Sequence, residues 1–128
     1  MTTSLLVFDD KDRIGDWVAE RVGQLSPWGS FYAMGAELKG EIVSGLVLNN
    51  FTDSSATVHL AVSIPTKTLS ELLNHAFCYA FEDCKLRRLT GLVEENNAKS
   101  LKIIRHIGFV DEGVMQQAGT GGQDIIVL

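Results

Sequence analysis

The sequence contains few cysteines and has no long apolar run. Its two cysteines, Cys78 and Cys84, are six residues apart, which matches neither a redox CxxC motif nor a zinc pair. Two cysteines without a secretory leader favour a reducing compartment, so we predict a cytoplasmic protein with two buried thiols. No apolar run approaches the roughly 20 residues that cross a bilayer, so we expect no membrane partner.

Basic residues are also scarce. Eleven Lys and Arg against 16 Asp and Glu give a formal net charge of −5, and nucleic-acid binding depends on cations that neutralise phosphates. We therefore expect no nucleic-acid partner. Six of the 11 basic residues nevertheless fall between Lys85 and Arg105. This segment is either a solvated surface or a local pocket for a polyanionic small molecule, and the sequence leaves both open.

The hydrophobic content of 45% over 128 residues is enough for one compact core. We predict a single domain over 1–128 with the element order β-α-βββ-α-β-α-ββ. The strands are expected at 4–8, 31–39, 41–50, 56–63, 88–93, 109–115 and 124–128, and the helices at 12–23, 68–84 and 98–107. Gly23 is the expected end of the first helix, Lys39-Gly40-Glu41 forms a tight turn, and the last two strands form a hairpin across the glycine-rich loop 118–122. Short connections favour antiparallel neighbours, and a strand–helix–strand crossover adds a parallel pair. The prediction is an α+β fold with a mixed, mostly antiparallel sheet and helices on both faces.

The helix at 68–84 has the clearest pattern. Apolar residues recur every three or four positions from Leu69 to Cys84, which indicates an amphipathic helix. Thr68, with Glu71 three residues later, forms a capping-box pattern at its start. Pro65, just upstream, cannot lie inside the helix.

The run from Val93 to Gly113 carries a more specific pattern. It reads Val-Glu-Glu-Asn-Asn97-Ala-Lys-Ser100-Leu-Lys-Ile-Ile-Arg-His-Ile-Gly108-Phe109-Val-Asp-Glu-Gly. It resembles the segment of GNAT N-acetyltransferases in which a strand ends in Asn, Ser follows three residues later, and a helix runs to Gly-Phe. The similarity is strongest over 76–113, and the element order matches over nearly the whole chain. The chain therefore resembles a divergent member of the GNAT superfamily.

The resemblance implies acetyl-CoA as cosubstrate and no metal. In the family, acetyl-CoA enters between two strands, here 56–63 and 88–93, and pairs with backbone groups near Val62 and Ser63. Its pyrophosphate lies at the start of the following helix, here Lys67 and Thr68, where N–H groups and the helix dipole favour an anion.

Asn97 and Ser100 match family positions that face the cofactor. They are also suited to a local role, Asn97 as the N-cap of the last helix and Ser100 as a first-turn residue. The two roles are compatible.

Two departures from the family pattern stand out. The family's pyrophosphate loop is rich in glycine, which lets the backbone close around phosphate oxygens, whereas residues 64–69 contain none. Many members also carry a Tyr in the last helix that protonates the leaving thiolate, and the aligned residue here is Ile104.

Candidates for a general base are His59 and the strand-end carboxylate Glu94, with Glu95 beside it. Each also has an ordinary interpretation as a strand residue. Trp28, Gln116 and Gln117 would border the acceptor site.

The function implied by the resemblance is transfer of an acetyl group from acetyl-CoA to a primary amine, on a protein N-terminus or a small molecule, by direct attack. The alternative is a catalytically inactive GNAT-like structural or interaction protein, including a phage-encoded one. Edge strands at 1–8 or 124–128 would also allow a homodimer.

Overall fold

The computed structural model describes residues 4–64 and 66–128. The chain divides into two compact units, a first that ends at Leu89 and a second from Thr90 to Leu128. The elements are β1 Leu5–Val7, α1 Lys11–Val22, β2 Phe31–Leu38, β3 Glu41–Asn49, β4 Ser55–Val62, α2 Thr68–Phe77, a π-helical segment Cys78–Asp83, β5 Arg88–Glu94, α3 Ala98–His106, β6 Gly113–Met115 and β7 Ile125–Val127. The predicted order of elements is confirmed. The single domain over 1–128 stays a prediction.

The first unit contains four antiparallel strands in the order β1-β2-β3-β4. Gly35 of β2 lies opposite Gly45 of β3, which in turn lies opposite Ala61 of β4. The β2–β3 turn is made by Lys39 and Gly40, whose φ angles are 55° and 80°. The tight turn predicted at these residues is confirmed.

Helix α1 covers one face of this sheet. Its Ile14 and Val18 are fully buried in a cluster with Ala33, Val47 and Ala61. The helix approaches closely because the sheet residue beneath it is a glycine: a Cβ on Gly45 would lie 2.7 Å from Val18 Cγ2. The helix ends, as predicted, at a left-handed glycine, Gly23.

Helix α2 covers the opposite face. Side chains alternate along a strand, so Tyr32 of β2 lies on the face opposite Ala33. The Tyr32 ring stacks on Tyr79, with centroids 4.1 Å apart and planes 14° apart. Helices therefore lie on both faces, as predicted.

The regular helix predicted to Cys84 is wrong beyond Phe77. The Cys84 N–H donates to Tyr79 O, five residues back, which is the π-helical pattern. Apolar periodicity alone does not separate the two helix types, because the apolar spacing in the sequence continues through both. Cys78 and Cys84 are half-buried free thiols, so the prediction that both are buried is also wrong.

The second unit contains three antiparallel strands in the order β5-β7-β6. Helix α3 buries Leu101 and Ile104, and Ile104 Cδ1 lies 2.6 Å from where a Cβ on Gly91 would sit. The predicted β6–β7 hairpin is confirmed, although β6 begins at Gly113 and not at 109. No helix in the described part of the chain has the length and apolar character of a membrane span.

Candidate functional site

The predicted site residues lie at two strand-to-helix junctions. The first junction, residues 62–68, joins β4 to α2 in the first unit. The second junction, residues 94–100, joins β5 to α3 in the second unit. His59 lies on β4, just upstream of the first junction. The two junctions belong to different units, and the predicted cleft between β4 and β5 stays a prediction.

The end of β4 directs backbone groups away from β3. The Ser63 N–H donates to Val43 O at 2.8 Å, and the Ile64 N–H reaches the same oxygen at 3.2 Å. In an antiparallel pair, successive residues bond to opposite sides of the strand. The N–H and C=O of Val62 therefore point away from β3, in the direction required for its predicted role. The N–H of Ser63 is engaged with Val43.

The start of α2 has no side-chain cap. The helix begins at Thr68 after the exposed Lys67, whose side chain makes no cap hydrogen bond. The Leu69 N–H in the first turn donates to Thr66 O at 3.1 Å. The Thr68 hydroxyl instead lies 2.7 Å from both Ser4 Oγ and Thr66 Oγ1. The predicted capping box is therefore wrong, because Thr68 is the first helical residue and its hydroxyl is bound by these two partners. Pro65 lies outside the described residues.

A buried hydrogen-bonded network holds His59. Its Nε2 lies 2.9 Å from Asn49 Oδ1. The Asn49 Nδ2 donates to the Trp28 carbonyl at 3.3 Å, and the Trp28 indole N–H donates to Gly15 O at 3.0 Å. Since the Asn49 amide nitrogen donates to a carbonyl, Oδ1 accepts from the His59 Nε2–H. The imidazole then carries its lone pair on Nδ1.

The surroundings of His59 disfavour its charged form. Burial lowers the pKa of His59 from 6.5 to about 4, because an imidazolium loses hydration energy inside the protein. The Trp28 ring, with its centroid 4.7 Å from that of His59, forms part of these surroundings. At neutral pH His59 is therefore an uncharged proton acceptor of low basicity.

Sequence reasoning missed Asn49. Trp28 is only 9% exposed, and its predicted place beside the acceptor site stays a prediction. A signal for Asn49 was present in the hairpin register. With the turn at Thr52–Ser55, Asn49 lies opposite Thr57, so His59 is its diagonal neighbour on the same face.

At the second junction, polar groups satisfy the helix itself. The Asn97 side chain accepts from the Ser100 N–H at 3.2 Å and caps α3. The Asn97 N–H donates to Glu94 O at 2.9 Å. The predicted local roles, Asn97 as N-cap and Ser100 in the first turn, are confirmed. Glu94 is half-buried at the end of β5.

The remaining predicted residues are a buried isoleucine and two exposed glutamines. Ile104, which aligns with the family's Tyr, is 3% exposed and packs against Gly91 of β5. Gln116 and Gln117 are exposed, and the Gln117 N–H donates to Asp124 Oδ1 at 3.0 Å. Within residues 4–64 and 66–128, no group of three or more His, Cys, Asp or Glu side chains is placed to hold a metal ion.

Comparison with solved structures decides the fold. A GNAT-family acetyltransferase from Streptococcus pneumoniae matches with a TM-score of 0.72 at 17% identity, over 98% of this chain and 97% of that one. The spermidine/spermine N-acetyltransferase SpeG from Vibrio cholerae matches with a TM-score of 0.70 at 15% identity, over 97% and 89%. This chain has the GNAT fold. A putative acetyltransferase from Acinetobacter baylyi also matches this GNAT-fold chain, with a TM-score of 0.71 at 16% identity over 99% and 90%.

By sequence, neither a family model nor a curated protein matches the chain. The resemblance of residues 93–113 to GNAT proteins thus agrees with the fold found by structure comparison. The predicted α+β class, mostly antiparallel with helices on both faces, is confirmed by the same neighbours.

Proposed function

We propose that this protein transfers an acetyl group from acetyl-CoA to a primary amine, on a protein N-terminus or a small molecule. The observation that carries the proposal is the match to a GNAT-family acetyltransferase over nearly the full length of both chains. We further propose that residues 1–128 act as one domain in the cytoplasm. Structural likeness at this identity establishes the fold, and the activity is inferred from the residues below.

Acetyl-CoA would be held by residues of both junctions. The N–H and C=O of Val62, which point away from β3, suit an extended pantetheine chain, with Ser63 beside them. The N-terminal turn of α2 suits the pyrophosphate because a helix start favours an anion and the N-cap residue Lys67 makes no side-chain cap hydrogen bond there. The exposed ammonium of Lys67 adds a positive charge there, beside Thr68. Asn97 and Ser100 match family positions that face the cofactor and would be the remaining residues that hold acetyl-CoA.

The reaction would be a direct displacement. The amine nitrogen attacks the thioester carbonyl carbon, a C–N bond forms, the C–S bond breaks, and the thiolate leaves and takes up a proton. The attacking nitrogen loses a proton to a base. Neutral His59 is one candidate, with its lone pair on Nδ1, and Glu94, acting through a water, is the other.

The two candidate bases are separated by mutation. Replacing a working general base lowers turnover by roughly 100-fold or more. If His59 is the base, His59→Gln shows this loss in kcat and Glu94→Gln does not. If Glu94 is the base, the pattern is reversed. Full activity in both variants would remove both assignments.

A thermal-shift titration tests the binding step. Acetyl-CoA and desulfo-CoA should each raise the melting temperature, because a ligand that binds only the folded state stabilises it by mass action. Lys67→Ala and Asn97→Ala should weaken binding, while Lys102→Ala, at an exposed position of α3, serves as the matched control. No shift at millimolar acetyl-CoA would contradict the proposal. Unchanged affinity in both variants would contradict the site assignment.

A second candidate function is a GNAT-fold structural or interaction protein without catalysis. The observations that favour it are the absence of glycine from residues 64–69 and the buried Ile104 at the family's Tyr position. The same titration, followed by an assay for acetylation of an amine, separates the two. Binding of acetyl-CoA followed by acetylation of an amine would exclude the inactive protein.

We also propose that the chain self-associates, at least as a homodimer. A spermidine N-acetyltransferase from Vibrio cholerae with a TM-score of 0.71 to this chain is dodecameric. In the first unit, β1 lies at the end of the strand order, and its Leu5 is 62% exposed. Light scattering coupled to size exclusion gives the mass directly, and a 14 kDa species at all concentrations would contradict self-association.

A further inference from the structure

The α2 face of the first unit contains a pocket that the proposed acetyl transfer does not use. Its volume is about 250 Å³. The sheet side is formed by Phe8, Tyr32 and Met34, and the helix side by His75, Cys78, Tyr79 and Asp83. All seven residues belong to the first unit. None of them was proposed above for acetyl-CoA or for catalysis.

Two aromatic pairs build the walls of this pocket. The Tyr32 and Tyr79 rings stack with centroids 4.1 Å apart, and the Phe8 and His75 rings meet edge to face at 5.1 Å. Each pair joins a residue of the sheet side to a residue of the helix side. Met34, only 1% exposed, provides an apolar floor. The walls are therefore held in place without any ligand.

The π-helical segment supplies part of the polar lining, and Tyr32 and His75 supply the rest. Tyr79 and Asp83 both belong to it and both line the pocket. A π-helical turn contains more residues than an α-helical turn and often occurs at functional sites. Here it brings a phenol and a carboxylate four residues apart to the same pocket. Regular α-helix ends just before it, at Phe77.

With histidine taken as neutral, the pocket lining carries one formal charge, which is negative. Asp83 is the one acidic residue among the lining residues, and none of them is Lys or Arg. Within residues 4–64 and 66–128, no lysine or arginine forms an ion pair with Asp83. Burial, and then the Asp83 charge, raise the pKa of Tyr32. Burial, followed by the hydrogen bond to Cys84, raises the pKa of Tyr79 to about 12. Both phenols are therefore neutral, and the negative charge belongs to Asp83.

We propose that this pocket binds a small organic cation with an apolar body, with its ammonium group at Asp83 and its hydrocarbon part against Phe8 and Met34. The phenol oxygens provide hydrogen-bond acceptors, and the aromatic rings provide electron-rich faces that attract cations. The volume lies below the roughly 300–1,000 Å³ of pockets for drug-sized ligands, so the ligand is a single ring or a short chain. An anion would be repelled by the carboxylate of Asp83 and should bind less well than the cation.

The test uses a cation and its neutral analogue on the full chain. Phenethylammonium is titrated against 2-phenylethanol while the aromatic ring resonances are followed by NMR. The ammonium should shift the resonances of Tyr32, Tyr79 and Phe8, and should bind about tenfold more tightly than the alcohol, since a charged hydrogen bond is lost with the alcohol. Equal affinity for the two compounds would overturn the proposal.

A matched pair of variants locates the charge. Asp83→Asn keeps the size of an exposed side chain and removes its charge, so affinity for phenethylammonium should fall about tenfold. Glu82→Gln removes the neighbouring charge, which does not line the pocket, and affinity should not change. Equal loss in both variants would mean general electrostatic attraction and would overturn the site. Shifts confined to Trp28 and His59 would place the cation elsewhere and would overturn it as well.

Discussion

The two strand-to-helix junctions differ in how the N-terminal N–H groups of their helices are capped. At the second junction, Asn97 caps α3 with its own side chain. At the first junction, the hydroxyl of Thr68 bonds to Ser4 and Thr66, and α2 begins without a side-chain cap. The capped helix satisfies one of its own N–H groups, whereas the uncapped helix leaves its first turn to other partners. The first junction is therefore the better candidate for an anionic ligand.

The largest expected effect is the pH dependence of stability that arises from His59, on the strand that leads into the first junction. Its pKa of about 4 in the folded protein lies below the ordinary 6.5. As pH falls through this window, the unfolded chain binds a proton that the folded chain does not, so the free energy of unfolding should fall by roughly 3 kcal/mol. Chemical denaturation at pH 7 and pH 4 measures this loss.

Two variants isolate the contribution of His59 to the pH dependence. His59→Gln should remove roughly 3 kcal/mol of the change in the free energy of unfolding between pH 7 and pH 4. His106→Gln, at an exposed histidine of α3, should leave that change intact. An NMR titration of His59 with a midpoint near the ordinary value would contradict the burial argument.

The second-largest expected effect concerns the hydroxyl cluster of the first junction, which consists of Ser4, Thr66 and Thr68. Thr68→Val removes the hydroxyl between Ser4 and Thr66 and leaves the buried Ser4 hydroxyl without this partner. Stability should fall by about 1–3 kcal/mol, as for other buried polar groups that lose a partner. Urea denaturation measures the change, with Ser70→Ala, an exposed first-turn residue, as the control.

A double-mutant cycle identifies the cause of that loss. Adding Ser4→Ala to Thr68→Val removes both hydroxyls of the buried pair and should restore part of the stability. If the two losses simply add, the pair is not coupled, and the hydroxyl cluster does not explain the missing capping box.

Local sequence rules predicted the fold well because its elements depend on nearby residues. The glycine at position 23 ends α1, and Lys39-Gly40 turns the chain between β2 and β3, as expected. The prediction of the capping box failed because a distant residue intervened. Thr68 and Glu71 have the spacing of a capping box. The Thr68 hydroxyl is instead hydrogen-bonded to Ser4, which lies 64 positions away in the sequence.

The candidate site shows the same limit. Asn97 as an N-cap was predictable, because cap and helix are adjacent in sequence. The bond from His59 to Asn49 depends on the register of a hairpin, and the contact with Trp28 depends on how the 24–30 loop folds over the sheet. The change to π-helix at Cys78 has no signal in the spacing of apolar residues, which continues unbroken through it.

The third-largest expected effect concerns the second junction, where Asn97 caps α3. Asn97→Ala removes the acceptor for the Ser100 N–H and should lower stability by about 1 kcal/mol. Asn97→Asp keeps an acceptor at the same place and should retain most of that stability. Thermal denaturation of the three proteins makes the comparison. An Ala variant as stable as the parent protein would mean that α3 is held by the packing of Leu101 and Ile104 alone.

The smallest expected effect separates helix stability from ligand binding. Lys67→Asp replaces a cation by an anion at the positive end of α2, so stability should rise by about 0.5 kcal/mol. The same change places a negative charge where the pyrophosphate is proposed to bind, so affinity for acetyl-CoA should fall in a variant that is more stable. Thermal melts with and without ligand measure both quantities on one sample. If affinity and stability rise together, the uncapped start of α2 does not hold the ligand, and the comparison between the two junctions has no functional meaning.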